Sequence, residues 1–372
     1  MGKADLVTGA FGFSGSHLVK QLLEQGRTVI GTDTAGRLKN KQRIKECHSI
    51  GLDLQHPNLQ LIAADLTDMS SLKELFHKTP EIEMVFNTAS LYSYSASLST
   101  LKKINVVGTE NLLATLPQDI THFIHWSTCG VFGKPIQKGA LSGIPFSEQS
   151  ESPKNMSIHS RRPASTPLVN EYSVSKWEQE QLLWKAHRED GLPLTVIRPA
   201  PIYGPGSRYG HGGIVIAIAT GLLPFIPSAS KRSKTISVHV EDLGRFALHV
   251  AGKKEYFGQD FNVVDSSDIS YYEFIHYIAG LLDKKIMDVP YLPMGLMKAL
   301  TYSVAKVVNV LNLKKRFPQL NVVETQSAKY IGSSYRVDNS KSRSIGFSYN
   351  YPDVKNGIKD TIDWFKGQGW IS

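Results

Sequence analysis

The sequence has few cysteines, no block of one charge and no uninterrupted hydrophobic run of membrane-spanning length. Cys47 and Cys129 are its two cysteines, which excludes a disulfide framework, and no metal-ligand spacing occurs. The net charge of +9 is spread over small basic runs, without a zinc-finger, RNA-recognition or helix-turn-helix pattern. We therefore predict no metal site and no nucleic-acid partner.

The chain also lacks a recognisable targeting segment. The first predicted strand begins by Asp5, which leaves no room for a signal peptide, and Leu6 stands where a myristoylation signal needs Ser or Thr. Together with the low cysteine content, this pattern leads us to expect a cytoplasmic protein.

Short apolar strands alternate with helical segments over the first two hundred residues. Strict alternation predicts a parallel sheet covered by helices on both faces, which is a doubly wound α/β (Rossmann) fold. We assign residues 1–203 to this dinucleotide-binding domain, with an insertion near 134–170. Residues 204–372 form mostly a smaller substrate-binding lobe, with some segments returning to the sheet.

A glycine-rich turn follows the first strand. In "TGAFGFSG", Gly9, Gly12 and Gly15 are spaced by three, with Phe13 and Ser14 between the last two, and a helix follows. This context is typical of a dinucleotide cradle: the glycines allow a tight turn, close approach of a pyrophosphate and close helix packing. The start of the helix then offers N–H groups to the phosphates.

An acidic residue ends the second predicted strand, where a carboxylate can accept hydrogen bonds from both adenine-ribose hydroxyls. Asp33 occupies this position and favours NAD, because a 2′-phosphate would meet its negative charge. Arg37, Lys39 and Lys41 follow closely, and a basic side chain there can receive that phosphate. NADP therefore stays open as the alternative.

A tyrosine and a lysine lie one turn apart on the long helix predicted before residue 191. Tyr172 and Lys176 share a helical face, and an ammonium there favours the phenolate form of the tyrosine. Such a phenol can donate or remove the proton that accompanies hydride transfer. The preceding strand ends in Ser127 and Thr128, whose hydroxyls can hold a reacting oxygen near Tyr172.

With these motifs, the sequence resembles the extended short-chain dehydrogenase/reductase family, within the NAD-dependent epimerase/dehydratase superfamily, over nearly the whole chain. The resemblance implies that Thr128 is the catalytic hydroxyl, that Tyr172 and Lys176 are the active-site pair, and that Asn105 supports a proton path through water. It also implies that Lys176 holds the nicotinamide ribose. Further cofactor contacts carried over by position are Asp65, Leu66, Thr88, Ala89, Ser90 and Pro199.

Two departures turn the prediction away from nucleotide sugars. Enzymes of that kind usually carry Asn at the position of Pro201 and often Arg at Thr235, although the neighbouring Lys234 can substitute. The tail and the motif around Arg198 look more like the 3β-hydroxysteroid dehydrogenase/isomerase branch. We therefore expect an oxidoreductase that interconverts a secondary alcohol and a ketone on an apolar substrate, either steroid-like or a long-chain β-hydroxy or β-keto acid.

Two other functions are weighed against this one. A nucleotide-sugar epimerase would reduce and reoxidise its cofactor within one cycle, and a non-catalytic sensor would only bind the dinucleotide. Thr128, Tyr172 and Lys176 are all present, which argues against the sensor. The resemblance also allows a homodimer through the helices of Asn105 and Tyr172.

Three segments raise further expectations. Within 291–316, Lys298, Thr301, Ala305, Asn309 and Asn312 fall near one stripe of an otherwise mostly apolar helix, which predicts peripheral membrane contact or, alternatively, a substrate lid or packing on the lobe. The apolar stretch Ile214–Ala219 is predicted either to wall a substrate pocket or to be core. The insertion near 134–170 carries Arg161 and Arg162, which can meet a carboxylate or phosphate if it closes over substrate.

Overall fold

A computed structural model describes residues 3–79, 81–93, 96–133, 145–148, 170–311, 320 and 331–372. Its main feature is a parallel sheet of seven strands in the order β3-β2-β1-β4-β5-β6-β10, as expected for a doubly wound fold. The strands of this sheet are β1 (Ala4–Thr8), β2 (Val29–Asp33), β3 (Leu59–Ala63), β4 (Ile82–Asn87), β5 (His122–Trp126), β6 (Leu194–Pro199) and β10 (Gln259–Val263).

Two short parallel pairs complete the strands of the described residues. They are β7 (Ile202–Tyr203) with β9 (Val238–His239), and β8 (Phe225–Pro227) with β11 (Met287–Val289). The sequence pattern predicts a strand from 234 to 240, whereas β9 contains only Val238 and His239. The predicted strand is therefore too long. The preceding residues instead make isolated contacts, such as the bridge between Lys234 and Ser270.

Helices cover both faces of the sheet and build the lobe. In chain order they are α1 (Phe13–Glu24), α2 (Ala35–Leu38), α3 (Lys41–Ser49), α4 (Met69–Lys78), α5 (Leu98–Lys102), α6 (Gly108–Thr115), α7 (Glu171–Asp190), α8 (His211–Ala219), α9 (Val240–Val250), α10 (Tyr271–Leu281), α11 (Met294–Val310), α12 (Ser340–Ser344) and α13 (Val354–Gly367). A π-helical turn, Lys103–Val107, joins α5 to α6, and 3₁₀ turns span Cys129–Phe132, Ser228–Arg232 and Lys254–Tyr256.

Local sequence signals explain where the important helices begin and end. Asn170 caps α7 by accepting the N–H of Ser173 at 2.8 Å, and Gly191 ends it in the left-handed conformation. This cap places Tyr172 in the first turn, beside the carboxyl ends of the strands. Asp68 caps α4 by accepting the N–H of Ser70 at 2.9 Å.

Three apolar clusters form the core. Successive residues of β1 point to opposite faces, so that Val7 packs under α1 and α9 while Leu6 packs under α4, α6 and α7. A third cluster holds the lobe together and includes Val215 and Ile218. Their burial supports the core interpretation of the stretch Ile214–Ala219. Among the described residues, no helix combines the length and the apolar character needed to cross a membrane.

Candidate functional site

The glycine turn lies at the carboxyl end of β1, next to β4, where the order of the sheet changes direction. Gly9 has φ of +68°, and its carbonyl accepts the N–H of Gly12 at 2.7 Å. A Cβ on Gly12 would lie 2.8 Å from that carbonyl oxygen, and one on Gly15 would lie 2.9 Å from Thr88 Oγ1. Larger residues would therefore push α1 away from the turn, and its first-turn N–H groups would no longer border the crevice.

Asp33 is buried at the end of β2. Its carboxylate accepts the backbone N–H groups of Thr34 at 2.9 Å and of Phe11 at 3.2 Å, and it pairs with Arg37 at 3.4 Å. Burial raises the pKa of Asp33, although Arg37 and the two N–H groups act in the opposite direction. The carboxylate thus stands next to the glycine turn, with a cation beside it.

The ends of β3 and β4 carry the other residues expected around a dinucleotide. Asp65 is exposed and accepts the N–H of Thr67 at 2.9 Å, while the carbonyl of Leu66 accepts the amide of Asn111 at 3.0 Å. The hydroxyl of Thr88 donates to the carbonyl of Thr8 at 2.6 Å. This bond fastens the strip Thr88–Ser90 beside the glycine turn, and the Cα of Ala89 would lie 2.9 Å from a Cβ on Gly9.

Lys176 is buried on the face of α7 that covers β5. Its Nζ donates to the carbonyl of Trp126 at 2.7 Å and to the side-chain oxygen of Gln179. Burial lowers the pKa of Lys176 to about 7, and the carboxylate of Glu180 acts in the opposite direction. Tyr172 lies one turn earlier on the same face, half-buried. The pair therefore meets the strand end that carries Ser127 and Thr128.

The two hydroxyls at this strand end have different surroundings. Ser127 donates to the buried carboxylate of Glu180 at 2.5 Å, whereas Thr128 is half-buried and accepts the N–H of Gly130 at 3.1 Å. A Cβ on Gly130 would lie 3.4 Å from Thr128 Oγ1 and 2.8 Å from Ser173 Oγ. Thr128 therefore sits against the first turn of α7, where Tyr172 lies.

Below Ser127 lies a buried ionic network. Glu180 pairs with Arg198, which also pairs with Asp260 at 2.6 Å, and the side chains of Glu180 and Arg198 are 0% exposed. This network anchors α7 to β6 and β10 directly under the site. The sequence reasoning missed Glu180, although it extends the pattern of Tyr172 and Lys176 by one more turn of the helix.

Asn105 lies in the π-helical turn and is 0% exposed. Its Oδ1 accepts the N–H of Leu91 at 2.7 Å, and its Nδ2 donates to Ser175 Oγ at 3.0 Å and to the carbonyl of Leu91 at 3.4 Å. The amide thus joins the segment after β4 to α7. A role in a proton path stays a prediction, and positioning is the role that these contacts support.

Two tyrosines beside Tyr172 also escaped the sequence reasoning. The ring of Tyr92 meets that of Tyr172 edge-on at 4.9 Å between centroids, and Tyr209 lies 5.3 Å from Tyr92. Tyr92 follows Ser90 by two residues and Tyr209 lies in the loop after β7, so no single motif contains them. Their rings give the candidate site an aromatic side.

The remaining expected residues divide by position. Pro199 ends β6 and pairs with Val263 of β10, so it lies, like Thr128, at the carboxyl ends of the strands. Cys129 is buried, and burial raises the pKa of its thiol, which agrees with packing rather than nucleophilic chemistry. Most of the insertion near 134–170, including Arg161 and Arg162, lies outside the described residues, as does the end of the segment 291–316.

The chain matches the sequence profile of a known protein family. The profile of the NAD dependent epimerase/dehydratase family matches residues 6–263, from the glycine turn to the last strand of the sheet. The chain belongs to the NAD-dependent epimerase/dehydratase family. The resemblance to extended short-chain dehydrogenases/reductases is thereby confirmed, together with the fold class.

Individual relatives of the chain have different activities. A 3beta-hydroxysteroid-dehydrogenase/decarboxylase of Arabidopsis thaliana is 25% identical over 371 residues, covering 97% of this chain and 79% of that protein. A UDP-glucose 4-epimerase of Vibrio cholerae is 24% identical over 295 residues, covering 78% of this chain and 79% of that protein. A dTDP-glucose 4,6-dehydratase of Streptomyces venezuelae, solved with NAD, has a TM-score of 0.68 at 20% identity, covering 99% of both chains. These findings support the family and NAD as the cofactor, whereas the substrates of the relatives differ from one another.

Proposed function

We propose that the protein is an NAD-dependent oxidoreductase that interconverts a secondary alcohol and a ketone on an apolar substrate, such as a 3β-hydroxysteroid or a long-chain β-hydroxy acid. The observation that carries this proposal is the position of Lys176. Its ammonium is buried one turn from Tyr172, and it bonds to Trp126 at the end of β5, just before Thr128.

The residues of the site fit a dinucleotide. A Cβ on Gly12 would lie 2.8 Å from the carbonyl oxygen of Gly9, so the tight turn requires glycine there, and Asp33 stands at the adjacent strand end. NAD, when bound there, would supply the acceptor for the hydride of the alcohol or, in its reduced form, the donor of a hydride to the ketone. The glycine turn would hold the pyrophosphate of NAD, and Lys176 would hold the ribose that carries the nicotinamide.

The side chains supply the proton chemistry. In the oxidative direction, the phenolate of Tyr172 removes the hydroxyl proton of the substrate, and in the reductive direction its phenol returns that proton to the oxygen. The hydroxyl of Thr128 hydrogen-bonds to the same oxygen and holds it beside Tyr172. The ammonium of Lys176 stabilises the phenolate by charge, and its lowered pKa of about 7 lets it exchange protons near neutrality.

Two features favour an apolar substrate over a nucleotide sugar. Tyr92 and Tyr209 place two further aromatic rings beside Tyr172, and this apolar lining suits a hydrocarbon skeleton. Thr235, where many sugar-nucleotide enzymes carry an arginine, is buried and lies 3.2 Å from a ring nitrogen of His211. The adjacent Lys234 pairs with Asp268 at 3.0 Å, so its charge is already balanced.

The proposal is tested with the purified full-length chain and two substrate panels. Apolar 3β-hydroxysteroids and long-chain β-hydroxy acids should reduce NAD, followed by absorbance of the reduced nicotinamide. Tyr172→Phe should lower kcat by about 100-fold or more and leave the affinity for NAD within about twofold. Tyr256→Phe is the matched control and should keep wild-type turnover, because Tyr256 lies just before β10, at the amino ends of the strands.

Two results would contradict the proposal. Wild-type turnover by Tyr172→Phe would remove the phenol from the chemistry. Conversion of UDP-glucose without net reduction of NAD, together with no activity on either apolar panel, would instead assign the protein to the nucleotide-sugar epimerases.

A further inference from the structure

The exposed hydrophobic side chains of the protein are concentrated in one segment. Of the 14 large hydrophobic side chains that are exposed among the described residues, nine lie between Met287 and Leu311. Most of them belong to α11, on which Val307 is 53% and Val310 is 73% exposed. Single exposed hydrophobic residues are common on protein surfaces, but a continuous patch marks an interaction surface.

The patch occupies the outward face of α11. The side of the helix that contacts the protein is marked by Ala305 and Val308, which are 0% and 5% exposed. At 100° per residue, Leu296, Val307 and Val310 project from the opposite side, and Leu300 and Leu311 widen the face. Of the stripe expected from the sequence, Ala305 faces the protein and Thr301 is half-buried.

The charged residues of this stretch of the sequence have one sign. No acidic residue occurs between Asp288 and Glu324, whereas the same stretch contains Lys298, Lys306, Lys314, Lys315 and Arg316. Lys306 is exposed and lies about 50° from the midline of the outward face, whereas Lys298 is half-buried and lies on the side of Ala305. Two copies of such a segment would repel each other, while an anionic surface would attract it.

We propose that α11 docks the protein onto an anionic lipid bilayer. The helix lies parallel to the membrane plane, with Leu296, Val307 and Val310 entering the boundary between headgroups and acyl chains. Lys306 stays at the level of the phosphates, as long basic side chains do at interfaces. With 17 residues and two lysines, α11 matches a helix that lies on a bilayer. This proposal holds whatever the substrate of the enzyme is.

The test is sedimentation of the full chain with lipid vesicles. Vesicles of phosphatidylcholine containing about 30% phosphatidylglycerol should bind the protein, and the bound fraction should fall as salt is raised. Val307→Glu should weaken binding about tenfold, because it places a carboxylate in the outward face. Met69→Glu is the matched control: Met69 is 41% exposed on α4, and this change should leave binding unaltered.

A charge-reversal variant separates the two parts of the surface. Lys306→Glu should weaken the preference for anionic vesicles while thermal unfolding stays cooperative. Absence of wild-type binding at low salt, or equal binding by Val307→Glu, would overturn the proposal. A dimer in light scattering that Val307→Glu dissociates, without vesicle binding, would also overturn it and assign the face to a second copy of the chain.

Discussion

At the scale of single residues, the polar side chains of the candidate site are held by hydrogen bonds to the backbone. Asp33 accepts the N–H of Thr34, Thr128 accepts that of Gly130, and Lys176 donates to the carbonyl of Trp126. The residue types and spacings of these positions were predictable, because the chemistry needs a carboxylate, a hydroxyl and a lysine there. Glu180 and Tyr92 were not predicted, since their roles depend on which segments the fold brings together.

The choice between NAD and NADP depends on Asp33 and its cationic neighbour. Asp33→Ser removes the charge that would repel a 2′-phosphate and releases Arg37 to pair with it. We expect the ratio of kcat/KM for NADP to that for NAD to rise by about tenfold or more. Steady-state kinetics with both cofactors measure this ratio.

Two further variants make that measurement decisive. Glu74→Ser, which removes an exposed acid from α4, controls for net charge and should leave the ratio unchanged. Asp33→Ser/Arg37→Ala should lose most of the gain for NADP. An unaltered ratio in Asp33→Ser would show that this carboxylate does not discriminate between the two cofactors.

At the scale of secondary structure, the helix that carries Asn105 departs most from its sequence pattern. The apolar pattern predicts one continuous helix from 101 to 116, whereas the structure has α5, a π-helical turn and α6. A π turn inserts one extra residue and turns the following face, which lets Asn105 reach both Leu91 and α7. Hydrophobic periodicity does not encode such an insertion, because α6 still buries Leu112 as a regular helix would.

Removing the amide of Asn105 should affect positioning and stability together. Asn105→Ala leaves the N–H of Leu91 and the hydroxyl of Ser175 without their buried partner, at a cost of about 1–3 kcal/mol in unfolding free energy. We expect kcat to fall, and KM for NAD to rise because the segment after β4 carries Thr88–Ser90. Urea denaturation and steady-state kinetics measure the two effects.

The conservative variant distinguishes positioning from a direct proton path. Asn105→Asp can still accept the N–H of Leu91, so it should recover more stability than Asn105→Ala. Asn356→Ala, at an exposed position of α13, is the control and should behave as wild type. Full wild-type kinetics in Asn105→Ala would contradict any role for this residue.

At the scale of the whole molecule, contacts distant in sequence join the lobe to the nucleotide-binding half. Arg208, in the loop after β7, pairs with Glu46 of α3, and its guanidinium lies 3.9 Å from the ring centre of Trp370. The sheet order and the glycine turn were predictable from local pattern, whereas this three-way contact was not. Its partners lie more than 150 residues apart, and no periodicity links them.

Buried histidines are spread across both halves and should make stability depend on pH. Burial lowers the pKa of His17, His122 and His211 to about 4 and that of His239 to about 3. The unfolded chain binds protons on these groups below about pH 6.5, while the folded protein stays neutral there until about pH 4. Stability should therefore fall as pH drops through this window.

His211 offers a test of this coupling with one variable. Its ring packs 4.7 Å from Phe274, and its Nε2 lies 3.2 Å from Thr235 Oγ1. His211→Gln removes one titrating group, so between pH 6.5 and 4.5 its unfolding free energy should fall less steeply than that of the wild type, by about 1.4 kcal/mol per pH unit. Asp265, whose pKa burial raises to about 7, acts in the opposite direction in both proteins and cancels in the comparison.

Urea midpoints at half-unit pH steps measure these slopes. His48→Gln, at an exposed position, is the control. Parallel slopes for wild type and His211→Gln would show that His211 is not held neutral by burial.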